Sequence, residues 1–138
     1  MLATAGEPLS ATLGAMTDLE KLNADWLAAW TDQDADRVAS FYTEDARYFD
    51  AQVPDGIVGR DALRERLSKL FELAPPMRYE PETVWPIEGG FCGRWYCTIE
   101  SGDVRQMLRG FDLVLVRDGR FAYNEVYTHA IGKDPRGS

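Results

Sequence analysis

The stretch FYTEDARYFDAQVPDGIVGRDAL, residues 41–63, decides the fold because it sets a short strand between two helical segments. Residues 46–50 alternate in character and predict a strand in which Tyr48 and Asp50 share one face. Pro54-Asp55-Gly56 then predicts a turn. An acidic residue before a turn often accepts hydrogen bonds from local backbone N–H groups. Asp50 therefore has three open interpretations: a turn residue, a counter-charge for a neighbouring helix, or a proton carrier that faces a pocket.

Helical patterns lie on both sides of this strand. Thr17 and Glu20 fit a capping box, which predicts a helix over about 18–31. A short second helix is predicted over 35–42, and a third over about 60–72. The apolar positions of the first helix recur at helical spacing and are Leu19, Leu22, Trp26, Ala29 and Trp30.

The second half of the chain changes to a pattern typical of strands. Four strands are predicted, separated by short turns that contain glycine. They span about residues 77–88, 91–101, 104–117 and 120–131. Helices followed by strands predict an α+β fold, in which three N-terminal helices pack on one side of a strongly curved, mainly antiparallel sheet. We predict a single domain over 17–131, between a flexible leader, 1–16, and a flexible tail, 132–138.

Charge and composition exclude several classes of partner. The chain has 138 residues and a net charge of −8, without the basic patch that nucleic acid or an anionic membrane surface requires. No run of about 18 apolar residues is present, so no membrane span is predicted. His129 is the single histidine and has no cluster of ligand residues near it in the sequence, so no metal site is predicted. A cytoplasmic location is the default expectation.

Two motifs carry a resemblance to a known superfamily. FYTEDA at 41–46, followed by a strand and then by VGRDA at 58–62, resembles the nuclear transport factor 2-like superfamily. Within it, the chain resembles the SnoaL-like polyketide cyclases and the ketosteroid isomerases over about residues 17–131. The resemblance implies a cone-like roll with an internal pocket for a small hydrophobic molecule. It also implies that no cofactor is used and that a homodimer forms through the outer face of the sheet.

The same resemblance assigns roles to three positions. Asp50 falls where the ketosteroid isomerases carry their general base. Asp112 falls where they carry a protonated aspartic acid that donates to the oxyanion. Trp26 falls where they carry the oxyanion tyrosine, and here the chain departs from their pattern. If Asp50 and Asp112 face one dry cavity, one would ionise as the base while the other stays protonated.

Asp112 and His129 each have a second interpretation. Asp112 lies in an apolar strand, where a carboxylate is costly and where its pKa should rise if it is unpaired. It could instead cap a loop or pair with Arg94 or Arg109. His129 lies near the end of the last predicted strand, where it could relay a proton to an aspartate or simply face solvent.

Aromatic side chains are numerous for a chain of this length. They could fill a core and a dimer interface, or they could line an apolar cavity that encloses a flat hydrophobic substrate. Both interpretations can hold at once. The predicted ligand-binding residues are Trp26, Trp30, Tyr42, Tyr48, Trp95 and Tyr127.

The sequence thus predicts a proton-transfer enzyme, an isomerase, cyclase or dehydratase that acts on a hydrophobic carbonyl compound. Its predicted catalytic residues are Asp50, Asp112 and His129. A non-catalytic module for ligand binding or dimerisation is the first alternative, because the oxyanion tyrosine is missing. Epoxide hydrolysis is the second. The Tyr-x-Asp of residues 48–50 resembles the water-holding element of limonene epoxide hydrolases, but their Arg-x-Asp does not appear at residues 94–96.

Overall fold

The computed structural model describes residues 16–137, which form three helices and six strands. The helices are α1 (Asp18–Thr31), α2 (Ala35–Ser40) and α3 (Arg60–Leu73). The strands are β1 (Tyr42–Asp50), β2 (Val53–Val58), β3 (Met77–Ile87), β4 (Gly90–Ser101), β5 (Val104–Arg117) and β6 (Arg120–Ile131). The predicted leader lies outside the described residues apart from Met16. The flexibility of the tail stays a prediction.

The six strands form one sheet in the order β2-β1-β6-β5-β4-β3. Every neighbouring pair is antiparallel except β1 and β6, which run parallel. Helix α1 packs against β3, while α2 and α3 pack together beside β1 and β2. The predicted α+β class, three helices on a curved and mainly antiparallel sheet, is confirmed.

Three local predictions around residues 41–63 are wrong. Helix α2 ends at Ser40 rather than at 42, and β1 already begins at Tyr42 rather than at 46. The predicted turn at Pro54 belongs to β2, and the chain turns at residues 51–52 instead. Proline is tolerated in β2 because β2 is an edge strand, where a missing N–H leaves no ladder partner unsatisfied.

Helix α1 begins where the capping box predicts. Thr17 Oγ1 accepts a hydrogen bond from the backbone N–H of Glu20 at 3.2 Å. In return, Glu20 Oε1 accepts one from the backbone N–H of Thr17 at 3.0 Å. The buried face of this helix carries Trp26, Leu27 and Trp30 towards the sheet. The prediction of a helix over 18–31 is confirmed, and it brings two aromatic residues to the interior.

The core lies between the helices and the inner face of the sheet. Phe121 is fully buried, and its ring centroid lies 5.2 Å from that of Trp26 and 5.3 Å from that of Tyr42. Phe91 packs on the same ring at 5.9 Å. Because these aromatic rings interlock, Tyr42 is buried core rather than cavity wall, and the open space of the interior lies elsewhere.

Trp95 packs directly on Gly110 of the neighbouring strand. A methyl group at position 110 would lie only 2.3 Å from an atom of the indole ring. We therefore expect Gly110→Ala to displace the indole and to lower the free energy of unfolding by about 1–3 kcal/mol, the usual cost of overpacking. Urea unfolding measures this loss. Gly132→Ala is the control, since no heavy atom lies within 4 Å of a methyl group there. Equal losses in both variants would contradict the packing argument.

The outer face of the sheet carries exposed aromatic side chains. Phe111 is 43% exposed and Tyr127 is 63% exposed. Trp85 packs against Phe111, with ring centroids 5.9 Å apart. Further along this face, the C-terminal segment covers Tyr96, because the guanidinium of Arg136 stacks 4.2 Å from the centroid of its ring. The uncovered aromatic part of the face is therefore centred on Phe111.

Candidate active site

A cavity of about 230 Å³ lies between the helices and the inner face of the sheet. Its wall is mostly aromatic and aliphatic. The lining residues are Trp26, Leu27, Trp30, Tyr48, Asp50, Ala51, Gln52, Arg66, Leu70, Tyr79, Trp95, Val126 and Thr128. Ala51 and Gln52 are exposed and mark the mouth, whereas Trp26 and Leu27 are buried and form the floor. Pockets for drug-sized ligands measure roughly 300–1,000 Å³, so this cavity suits a smaller molecule.

Asp50 lies at the mouth of the cavity, where its side chain closes the turn at residues 51–52 and also lines the open space. Its Oδ1 accepts hydrogen bonds from the backbone N–H groups of Gln52 at 2.9 Å and Val53 at 3.2 Å, which closes the turn. Its Oδ2 accepts one from the hydroxyl of Tyr48 at 2.7 Å. A carboxylate offers about four acceptor positions, two on each oxygen. One position on Oδ2 therefore has no hydrogen-bond partner among the described residues.

Arg66 stands beside Asp50, and we did not predict it as a site residue. Its Nη2 lies 3.9 Å from Asp50 Oδ1 and donates a hydrogen bond to Gln52 Oε1 at 3.0 Å. The signal was present in the sequence. Arg66 follows Leu63 by three residues and precedes Leu70 by four, so it lies on the face of α3 that turns inward. An arginine within an apolar stripe is a candidate site residue.

Asp112 is fully buried behind the wall of the cavity and does not line it. Trp95 Nε1 donates a hydrogen bond to its Oδ1 at 3.4 Å, and Asn124 Nδ2 donates one to its Oδ2 at 3.0 Å. Burial raises the pKa of Asp112 to about 7, and these two hydrogen bonds oppose that rise. The alternative pairing with Arg94 or Arg109 is not formed, since the partners of Asp112 are an indole and an amide.

Asn124 extends this buried network to Tyr42. The hydroxyl of Tyr42 donates to Asn124 Oδ1 at 2.8 Å. Burial, followed by the charge of Asp112, raises the pKa of Tyr42 well above its usual value, so the phenol stays neutral. This network of Tyr42, Asn124 and Asp112 holds Trp95, which is the member that lines the cavity. The resemblance implied that Asp50 and Asp112 face one cavity. In the structure Asp50 lines the cavity and Asp112 does not.

Two further predicted residues lie outside the cavity. Tyr127 and His129 alternate along β6 with Val126 and Thr128, and only the latter two line the cavity. Both Tyr127 and His129 are exposed, and His129 Nε2 lies 3.4 Å from Nη2 of Arg109. We therefore leave Tyr127 and His129 out of the proposed site. The sequence shows that the residues of β6 alternate between two faces, but it does not show which face turns inward.

The predicted residues that do line the cavity are Trp26, Trp30, Tyr48, Asp50 and Trp95. Within residues 16–137, the indole N–H groups of Trp26 and Trp30 are shielded and make no hydrogen bond of good geometry. These two side chains therefore offer the cavity an apolar surface, and Trp26 does not replace the missing tyrosine as a donor.

Two structural absences apply to the described part of the chain, residues 16–137. No three His, Cys, Asp or Glu side chains converge there as ligands for a metal ion. No helix there is long and apolar enough to cross a bilayer. The independence from cofactors and the cytoplasmic location both stay predictions.

A family comparison agrees with this architecture. The model of the SnoaL-like domain matches residues 24–124, well over half of the chain. The chain belongs to the SnoaL-like family. The match runs from α1 into β6 and includes Trp26, Asp50 and Asp112. A comparison with curated protein sequences finds no match for this SnoaL-like chain.

Solved structures share the SnoaL-like fold at low sequence identity. A Catenulispora acidiphila protein with a ketosteroid isomerase-like fold, in complex with trimethylamine, has a TM-score of 0.69 at 13% identity, over 78% of this chain and 84% of its own. An NTF-2 like protein of unknown function from Burkholderia xenovorans has a TM-score of 0.63 at 15% identity, over 86% of this chain and 88% of its own. An LEH-like epoxide hydrolase from M. tuberculosis has a TM-score of 0.68 at 15% identity, over 81% of this chain and 83% of its own. These similarities show the fold.

Proposed function

We propose that this SnoaL-like protein is a cofactor-independent enzyme that moves a proton on a small hydrophobic carbonyl compound, as an isomerase, cyclase or dehydratase does. One observation carries the proposal. Asp50 lines an aromatic cavity, is fixed by Tyr48 and by the turn, and keeps an acceptor position on Oδ2. A positioned carboxylate of this kind contributes about 10²–10⁴-fold as a general base.

The walls of the cavity support a hydrophobic substrate. Trp30, Tyr79 and Trp95 form a continuous aromatic surface. The ring centroid of Tyr79 lies 5.7 Å from that of Trp30 and 5.3 Å from that of Trp95. An apolar body would bind there, and its carbonyl group would lie at the polar mouth beside Asp50. Asp112 acts indirectly in this proposal, because its carboxyl group holds the indole of Trp95.

Proton exchange at a carbonyl compound tests this function directly. Benzylacetone is a small aromatic ketone with exchangeable hydrogens on the carbons next to its carbonyl group. We expect the protein to catalyse the incorporation of deuterium at those carbons in D₂O, measured by proton NMR. Binding of benzylacetone without any acceleration of exchange would remove the enzymatic proposal and leave the binding module.

The binding module is the second candidate function, and one observation favours it. Asp112 is withdrawn from the cavity, so among residues 16–137 the cavity wall contains one carboxyl group, that of Asp50. Epoxide hydrolysis gains no comparable support. Arg94 lies on the outer side of β4, where its Nε donates to Glu82 Oε1 at 2.6 Å, so it does not reach the cavity.

A homodimer through the outer face of the sheet is part of the proposal. The exposed aromatic cluster around Phe111 supports it, because contiguous exposed apolar surface commonly marks an interface. We expect Phe111→Glu to convert a dimer to a monomer in size-exclusion chromatography with light scattering, since a charge would be buried at the contact. Leu73→Glu is the control, because Leu73 is 88% exposed at the end of α3. A wild-type monomer would contradict the dimer.

A further inference from the structure

Arg66 is the positively charged side chain among the residues that line the cavity. Its side chain is 27% exposed, so the guanidinium is partly withdrawn from water. Within the described part of the chain, its one hydrogen bond runs from Nη2 to Gln52. A guanidinium has five N–H donors. Most of the donors of Arg66 are therefore available to an acceptor at the mouth of the cavity.

The other side-chain donors in the cavity wall, including the Gln52 amide and the Thr128 hydroxyl, are neutral, and several of them are already used. The N–H of Trp95 goes to Asp112, and those of Trp26 and Trp30 are shielded from the open space. The hydroxyl of Tyr48 goes to Asp50. A substrate oxygen that develops negative charge near the mouth would therefore find its strongest donor in the guanidinium.

We propose that Arg66 binds the oxyanion of an enolate that forms when Asp50 removes a proton, so that the substrate class is an enolisable ketone or ester with an apolar body. This inference rests on the proposed function and names the residue that takes over from the missing oxyanion tyrosine. Its physical basis is the short distance between the two side chains, with Arg66 Nη2 only 3.9 Å from Asp50 Oδ1.

The charges balance through the step. Asp50 Oδ2 takes a proton from the carbon next to the carbonyl group. The electron pair of that C–H bond forms the carbon–carbon double bond of the enolate, and the π pair of the carbonyl group moves to its oxygen. Asp50 becomes neutral, and the negative charge now lies on the substrate oxygen. Because Arg66 adjoins Asp50, it stays next to the negative charge before and after the transfer.

Affinity for a stable anion tests this role in a protein that mimics the state after proton transfer. Asp50→Asn gives a neutral side chain at the base, as protonation does. Hydrocinnamate is the anionic probe, and benzylacetone is its neutral counterpart of nearly the same shape. In the Asp50→Asn protein, we expect Arg66→Gln to weaken hydrocinnamate binding by about tenfold to a hundredfold and to leave benzylacetone binding unchanged, measured by calorimetry.

The matched control is Arg64→Gln in the same background. Arg64 lies on the same helix, its side chain is 50% exposed, and it pairs with Asp36 and Asp61 rather than lining the cavity. Arg66→Lys is a second variant that keeps the charge, and it should retain part of the preference for hydrocinnamate. Equal losses in the Arg66→Gln and Arg64→Gln proteins, or equal losses for both ligands, would overturn the inference.

The inference and the proposed function fail in different ways. If the wild-type protein neither binds benzylacetone nor exchanges its hydrogens, the proposed function fails and the inference fails with it. If the wild-type protein exchanges those hydrogens but Arg66→Gln exchanges them equally fast, the inference alone fails. We expect this substitution in the wild-type background to slow exchange by about 10²–10³-fold, as the loss of an oxyanion donor does.

Discussion

Asp50→Asn should slow deuterium exchange into benzylacetone by about 10²–10⁴-fold, because an amide cannot accept the proton that the carboxylate removes. The fold should persist. The Oδ1 of asparagine can still accept the backbone N–H groups of Gln52 and Val53 that close the turn. The hydroxyl of Tyr48, now facing an N–H group, can rotate and act as an acceptor. Binding of benzylacetone should therefore remain.

The matched control for this experiment is Asp55→Asn. Asp55 is an exposed residue of the neighbouring strand, close in sequence, and it does not line the cavity. The exchange rate of this variant should equal that of the wild-type protein. If Asp50→Asn exchanges hydrogens as fast as Asp55→Asn, Asp50 is not the base and its role is limited to the turn.

Asp112 should make the protein less stable as the pH rises. Its pKa is about 7 in the folded state, against 3.8 in the unfolded chain, because burial disfavours the charged form. The folded state therefore holds the proton more tightly, and the free energy of unfolding falls between pH 3.8 and about 7. A rise of about three pKa units corresponds to roughly 4 kcal/mol in total. The whole loss of stability is present at pH values above the folded-state pKa of about 7, and none of it is present below the unfolded-state pKa of 3.8.

Asp112→Asn removes this titration while keeping the shape of the side chain. We expect the free energy of unfolding of the wild-type protein to fall by about 2–3 kcal/mol more than that of Asp112→Asn between pH 5 and pH 8, measured by urea unfolding. Asp118→Asn is the control, because Asp118 is exposed and should follow the wild-type protein. Parallel curves for the wild-type and Asp112→Asn proteins would show that Asp112 does not carry the titration.

Much of the fold could be predicted from the sequence because its signals are local. The capping box of Thr17 and Glu20 sets the start of α1, and the turns between the last four strands set their order along the chain. β2 was missed because its Pro54 and Gly56 are turn residues in most contexts. The structure uses Gly56 to let the ring of Phe49 pack closely, since a methyl group there would lie 2.5 Å from it.

The candidate site was harder to predict because it depends on which face of each strand turns inward. Alternation grouped Tyr127 with His129, but whether that face was inner or outer depends on how the whole sheet curls. Asp112 was correctly expected to be buried in an apolar setting, yet its partners Trp95 and Asn124 lie on two other strands. Such contacts are set by register across the sheet, which a single sequence does not encode locally.

The parallel contact between β1 and β6 has a consequence for how the chain folds during synthesis. β1 ends at Asp50, but β6 begins only at Arg120, and in the sheet it lies between β1 and the three strands β5, β4 and β3. At about 5–20 residues per second, the ribosome needs several seconds to supply the missing strand. During that interval the apolar face of the first helix has no complete sheet to cover it. The apolar face of α1 can therefore be fully covered only after the last strand has been synthesised.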